Sequence, residues 1–361
     1  VKIFGTPKSV LGVDIGSHSI KLVEVKHTKE GPMITFAQSA TIPQVEGDEL
    51  AHMEAIRDTL NTLVTESNVR KKKVVLAVPA ALEEEVTMKS IFIPDLPIDV
   101  PKEVMKMNVR AEFEAQDFIS YLDDAEIDCH VEGETTFDGN HGLDVFAVAV
   151  HRDLIERRVQ LLRDCGMFPI AIDVDFLALA RLVVTTTQLS DEEDIAILDI
   201  GATTTDVGFY QHGKLYPYPP ILFAGMDLTS HVAQTLNVSE DEAEAYKHGK
   251  EAMVDGSPEE ADVWGVIEDK LNQELCLELY GHFDAYTREF PEFKPSKVII
   301  SGGTAQLPQL DEFFTSQLAI PVDVLHYVDR IAVDANGEVA ALKDNEPLFS
   351  TAVGLALKGG L

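Results

Sequence analysis

The stretch LGVDIGSHSIKLVEV, residues 11–25, sets an acid and a glycine between two apolar runs, then adds two hydroxyls and a lysine. Its pattern returns without a gap at residues 196–210 as AILDIGATTTDVGFY. Asp14 aligns with Asp199, Ile15 with Ile200, Gly16 with Gly201 and Ser19 with Thr204; 199 − 14 and 204 − 19 both equal 185. Each copy reads as two buried strands joined by an Asp-Ile-Gly turn. Glycine in such a turn lets backbone N–H groups approach an anion closely. Ser17 and Ser19 add donors, and Lys21 adds a point charge suited to a phosphate. The Asp14 carboxylate can hold Mg²⁺ through water, because Mg²⁺ keeps much of its hydration shell. One copy alone is as well read as a hairpin with a polar turn. Two collinear copies point to facing halves that clamp a polyphosphate.

Composition narrows the class. At 361 residues the chain has room for about two domains, and 45% apolar with 25% charged residues is ordinary for a soluble globular protein. Asp and Glu number 62 against 29 Lys and Arg, a formal charge of −33 that repels phosphate backbones and argues against nucleic acid. Cys129, Cys165 and Cys276 are odd in number and widely spaced, which fits a reducing compartment better than a disulfide framework. The opening VKIFGTPKSV lacks a signal-peptide core, and the most apolar run, VVLAVPAAL at 74–82, is far short of the ~20 residues a spanning helix needs. A cytoplasmic location is the expectation.

The order of elements supports a duplicated α/β plan. After the first hairpin come a strand at 34–42, a helix with apolar spacing from Asp48 to Val69, and the strand VVLAVP. Between about 80 and 168 the pattern changes to a small α+β unit. VTMKSIFIP is a strand and Pro101 to Phe118 a helix; DDAEIDCHVEG and LDVFAVAVH form a strand pair joined by EGETTFDGNHG; RDLIERRVQLLRDCG is a helix capped by Gly166. PIAIDVDFLALARLVV then resumes the first half, and SDEED at 190–194 marks its end. The helical stretches 226–252 and 257–289 interrupt the second half, which closes with KVIISGG, LPQLDEFFTSQL, PVDVLH and the helix FSTAVGLALK, stopped at Gly359-Gly360. The expected division is 1–193 with an insert at about 80–168, 194–348 with a helical insert at about 221–295, and a helix over 349–361 that returns to the first half.

Two further elements bear on a ligand. In VIISGGTAQLPQL, Gly302 and Gly303 close a strand and lead toward a helix containing Pro308, whose N-terminus is suited to a phosphate or ribose. In FAGMDLTSHVAQTLNVSEDEAEAYKHG, residues Asn237 to Asp241 supply a turn and a helix cap, and Glu244 and Lys247 share one helix face. Each has a plain alternative, a tight turn and a solvated ion pair. RKKK at 70–73 reads as a solvated start to a strand, and Trp264 as core.

DIGSHSIK, ILDIGATTTD and ISGGTAQ, in that order, resemble the phosphate 1, phosphate 2 and adenosine motifs of the actin-like ATPase superfamily. The opening LGVDIGSHSIKLVEV, the passage SIFIPDLPIDVPKEVMKMNVRAEFEAQDFISYLDDAEID and RDCGMFPIAIDVDFLALAR resemble the PilM family of type IV pilus assembly. The resemblance implies an actin-like fold: two α/β domains around a nucleotide cleft, an α+β subdomain inserted in the first and a mostly α insert in the second. It implies ATP and Mg²⁺, with Asp14 and Asp199 at the metal's water shell. Gly16, Ser17, Ser19 and Lys21 would hold β-phosphate, opposite Gly201, Thr203 and Thr204. Glu244 and Lys247 would meet ribose or base, and Gly302, Gly303 and Thr304 would support adenosine. Asp173 or Asp175 would orient the attacking water. Two departures stand out. Met226 follows Gly225 where the family has a second glycine, and Asp206 puts a second carboxylate at the end of phosphate 2, as in DnaK-type chaperones.

The function so implied is a cytoplasmic ATP-binding scaffold, peripheral to the inner membrane, that recruits the N-terminal tail of PilN and through it other pilus machinery. Membrane contact would run through that partner, and self-association is left open. Two rivals are a small-molecule kinase, with Asp206 as its general base, and a nucleotide-free scaffold like GspL. A third, FtsA, is disfavoured because LALKGGL carries no amphipathic tail.

Overall fold

The computed structural model describes residues 9–44, 49–67, 69, 72–82, 84–187, 189–190, 193–249, 263–343 and 345–358. Arg70 and Lys71 of the basic run, Asp191 and Glu192 of the SDEED segment, residues 250–262 and the closing glycines lie outside them. The first half opens with β1 (Ser9–Ile15), β2 (Ser19–Thr28), β3 (Gly31–Thr41), α1 (Glu49–Glu66) and β4 (Lys73–Val78). The insert follows as β5 (Val86–Pro94), α2 (Lys102–Ala115), β6 (Ala125–Phe137) and β7 (Asn140–His151). The first half resumes with α3 (Arg152–Asp164), β8 (Phe168–Val174) and α4 (Asp175–Thr187). The second contains β9 (Ile195–Ile200), β10 (Thr205–Gln211), β11 (Lys214–Ile221), α5 (Gly225–Leu236), α6 (Glu240–Lys247), α7 (Val263–Gln273) and α8 (Leu275–Glu289). It continues through β12 (Lys297–Ser301), α9 (Leu310–Leu318) and β13 (Val322–Val324), and the chain ends in β14 (Ala332–Glu338), α10 (Ala340–Lys343) and α11 (Glu346–Lys358).

The duplication seen in two turns extends to whole sheets. One sheet runs β14-β3-β2-β1-β4-β8 and the other β11-β10-β9-β12-β13. In each, the central strand pairs antiparallel with the hairpin partner that follows it and parallel with the next strand beyond, β1 with β2 and β4, β9 with β10 and β12. Strands at the parallel centre are apolar on both faces, as VVLAV and IAIL require, because helices cover both sides. The insert forms a separate three-stranded sheet, β5-β7-β6, with its own core against Met105, Val109 and Phe113 of α2.

The sheets meet through α4 and α11. Both helices are apolar around most of their circumference, as helices packed on nearly all sides require, with only Val184 and Thr185 of α4 exposed. Close approach depends on glycine. A Cβ on Gly12 of β1 would lie 2.0 Å from the Ala352 carbonyl oxygen of α11, and one on Gly354 would lie 1.9 Å from that of Ala178 in α4.

Several local expectations shift. EGETTF is strand, not connection, and the hairpin turns at Asp138-Gly139, both at positive φ (48° and 80°). The final helix starts at Glu346, earlier than the expected 349. Gly302-Gly303 leads into a single 3-10 turn over Thr304–Gln306, so Pro308 precedes α9 and is not inside it. No helix among the described residues is long and apolar enough to cross a membrane.

Candidate functional site

The two Asp-Ile-Gly turns have the same geometry. Gly16 N–H donates to the Ser19 carbonyl at 3.1 Å, and Gly201 N–H to that of Thr204 at 3.0 Å. They face each other, since the Thr203 hydroxyl donates to Ser17 Oγ at 3.1 Å. Asp14 sits opposite Lys21 in the first ladder, and Asp199 opposite Asp206 in the second. The same offset relates the partners, because 206 − 21 equals 185. One structural position therefore carries a cation in one half and an acid in the other. Lys21 Nζ lies 3.2 Å from Asp14 Oδ2, and a Cβ on Gly16 would come within 3.0 Å of that ammonium.

Carboxylates outnumber cations at the cleft floor. Asp199 keeps some surface open, yet burial raises its carboxyl to about 7; the Asp14 charge adds to this, and Lys21 and the Thr351 hydroxyl oppose it. Burial pushes Asp206 well above the usual carboxylate range, with Asp175 and Asp199 reinforcing the shift. Asp175 begins α4, where its Oδ1 accepts from Ala80 N–H at 2.8 Å and Phe176 N–H at 2.7 Å. Burial still raises Asp175 to about 7. Asp173 has a different role, because Arg181 (2.7 Å) and Lys358 (2.9 Å) hold it as a buried ion-pair centre tying β8, α4 and α11 together. Of the two acids offered for orienting water, Asp175 is the one without such a neutralising pair.

Arg158 was missed by the sequence reading. It lies in α3, read there only as a capped helix; burial lowers the pKa of its guanidinium, and the nearby charges of Asp175 and Asp14 partly offset this. The Arg-Arg pair at 157–158 was the available signal. Arg157 turns outward to Glu85 at 2.6 Å, so its neighbour points elsewhere around the helix.

The second half supplies the opposite wall. Gly302 has φ +90°, and a Cβ there would lie 2.3 Å from the Ile200 carbonyl oxygen and 2.7 Å from Asp199 Oδ1. Thr304 is buried and donates to the Gly201 carbonyl at 2.6 Å. Gly225 N–H reaches the same carbonyl at 3.2 Å, and Met226 N–H donates to that of Ala202 at 2.7 Å, so α5 is anchored directly on the second turn. Lys247 does not present a free ammonium. It is buried, with Gly225 O at 3.0 Å, Thr229 Oγ1 at 2.7 Å and Glu244 at 2.6 Å. Burial alone would raise the Glu244 carboxyl, but His248 and Lys247 more than reverse this and hold it well below the usual range. Glu244 keeps exposed surface, whereas Lys247 braces α6 against α5.

A cavity of about 240 Å³ opens where the first half, the inserted sheet and β11 meet. Phe118, Met88 and Lys89 line it from the insert, Phe176 from α4, and Tyr218 and Asp206 from the second sheet.

A family model described as type IV pilus assembly protein PilM matches residues 12–360.

The chain belongs to the PilM family.

This PilM-family chain has the fold of the actin-like ATPase superfamily. A solved PilM-PilN type IV pilus biogenesis complex superposes with a TM-score of 0.75 at 23% identity, covering 99% of this chain and 100% of that one. The ethanolamine utilization protein EutJ from Carboxydothermus hydrogenoformans gives 0.54 at 16% identity, over 97% and 90% of the two chains. Among curated relatives, the cell division protein FtsA of Staphylococcus epidermidis (strain RP62A) is 25% identical over 71% of this chain, and that of Escherichia coli K12 is 27% identical over 58%. The chain spans 58% and 54% of those two FtsA proteins.

Proposed function

We propose that this PilM-family chain is an ATP-binding scaffold of the type IV pilus machinery that recruits the N-terminal tail of PilN. The observation that carries the partner half is the cavity where the first half, the insert and β11 meet, on a chain whose family assembles pili and whose fold matches a PilM-PilN complex. Phe118, Phe176, Met88 and Tyr218 offer seats for apolar anchor side chains of a short extended segment, and Asp206 accepts a donor from it. The chain would then sit at the cytoplasmic face of the inner membrane through this partner.

The nucleotide half rests on the paired turns. Gly16, Ser17, Ser19 and Lys21 on one side, with Gly201, Thr203 and Thr204 on the other, would take the phosphates, and Gly302 and Glu244 border the nucleoside. The donor set suits Mg²⁺, since the acids of the cleft floor have few cations to balance them. Among the described residues no three such side chains converge to ligate an ion directly. Asp14 and Asp199 would therefore hold the metal through its water shell, as this hard, strongly hydrated ion favours. Bound Mg²⁺ neutralises phosphate charge; the protein's residues position the chain of phosphates and close around it.

Asp14→Ala and Asp199→Ala are each expected to weaken MgATP binding at least tenfold, ~1.4 kcal/mol, in a calorimetric titration. If the wild-type protein binds no ATP, the GspL-like nucleotide-free scaffold is the better account.

A small-molecule kinase is the second reading, favoured by one observation: Asp206, a general-base candidate, borders a cavity able to admit an acceptor. A scaffold should turn over far below the ~10 s⁻¹ median of enzymes. Phosphate release at or above that rate would overturn the scaffold reading, whereas ADP formation stimulated by a small metabolite that takes up the γ-phosphoryl group would favour the kinase.

A further inference from the structure

Away from the paired turns, the inserted sheet touches the second sheet through a small charged cluster. β6 carries a bulge between Val131 and Gly133, so that Val131 pairs with Val145 and Gly133 with Asp144. Glu132 is the extra residue, and such a bulge re-aims the side chain it carries. That places Glu132 beside Asp144 of β7. The hairpin of β10 and β11 turns through His212 and Gly213, both at positive φ, and delivers Lys214 at the first position of β11. Lys214 bonds Asp144 and lies 3.8 Å from Glu132 Oε2. Exposure of the three side chains is only 26% for Lys214, 23% for Asp144 and 11% for Glu132. Glu132 Oε2 is buried and has no hydrogen-bond partner.

We propose that Lys214 is a latch that clamps Glu132 and Asp144, so that parting of the two halves and release of the inserted sheet are a single event. The insert is tied to the first half where Arg157 of α3 pairs with Glu85, the residue that leads into β5, at 2.6 Å. β11 belongs to the second sheet. The halves share a core around α4 and α11, so relative motion pivots there and separates the peripheral contacts. The cavity lies on the same seam, between β5 and β11, and a latch that opens therefore reshapes it. This inference does not depend on what the cleft or the cavity binds.

The latch has a built-in sensitivity to pH. Burial and the Asp144 charge raise the Glu132 carboxyl to about 7, against an ordinary value of 4.5, and Lys214 only partly offsets them. The groups facing it are Asp144 from β7 and Lys214 and Tyr216 from β11, with Glu289 and Glu292 acting on the same corner through Tyr216. None of the acids helps a second negative charge there. In the open form Glu132 is hydrated and its carboxyl returns toward 4.5. The closed form thus binds the proton more tightly, so closure is strongest below about pH 4.5, weakens progressively as pH rises to about 7 and levels off above it. Between pH 6 and pH 8 these values give about a tenfold fall in the ratio of closed to open.

Spin labels at the exposed positions Asn140 and Thr287, in a Cys129→Ser background, would report the separation of the insert from α8 by pulsed dipolar spectroscopy. In the wild-type chain the ratio of short-distance to long-distance populations should fall about tenfold from pH 6 to pH 8. Lys214→Met should lose it at both pH values, and Glu132→Gln, which carries no charge to expel, should keep it at both. The proposal is overturned if Lys214→Met matches wild type, or if Glu132→Gln keeps the wild-type response to pH. The near-isosteric glutamine variant keeps the test decisive even if the methionine variant folds poorly.

Discussion

Gly302→Val is expected to abolish MgATP binding and to lower stability by more than ~3 kcal/mol. A β-branched residue is strained at φ +90°, and its Cβ would lie 2.3 Å from the Ile200 carbonyl oxygen. Neither side can yield easily. Ile200 ends β9, which is paired with β10 on one side and β12 on the other, and Gly302 follows Ser301, the residue registered against Asp199. Gly302 N–H is also tied to the Pro347 carbonyl at 3.2 Å. Any displacement moves Asp199, whose Oδ1 would be 2.7 Å from the new Cβ. The adjacent Gly303→Ala is the control. Its Cβ would meet only Leu348 Cδ1 at 3.5 Å, an ordinary contact, and its effect should stay within about 0.5 kcal/mol. Urea denaturation of both variants, with an ATP titration of each, separates them; equal behaviour would contradict the role given to Gly302.

What the sequence made legible was the local, repeated chemistry. The Asp-Ile-Gly turns could be read because glycine and the flanking apolar alternation are both short-range signals, and the turns face each other across the cleft. Long-range pairing was not legible. Asp173 and Asp175 are two apart, which on a strand means one face, but β8 ends at Val174 and Asp175 starts α4. The two acids therefore separate, one to Arg181 and Lys358, the other to Ala80 N–H. Lys247 resembled a ligand-facing cation because nothing local reveals that α6 packs it beneath α5. The Asp-Gly turn at 138–139 carried a recognisable hairpin signal, obscured by the polar residues around it. Glu132 and Lys214 have no signature at all; a bulge in one sheet and a hairpin in another bring them together.

The second large effect concerns the partner. A chain of formal charge −33 gains from attracting a basic segment, and a cavity of about 240 Å³ has room for one or two anchoring side chains. A tail disordered before binding loses part of its contact energy to ordering, which points to moderate affinity. Met88→Glu would put a charge among Phe118, Phe176 and Tyr218 without touching the paired turns. It should therefore weaken the tail at least tenfold while MgATP binding survives.

The most direct test is a calorimetric titration of the chain with a synthetic PilN N-terminal peptide, at low and high salt. A Kd on the order of micromolar, about −8 kcal/mol, that weakens with salt and is lost in Met88→Glu is the predicted result. No binding by the wild-type chain, or undiminished binding by Met88→Glu, would contradict the scaffold account.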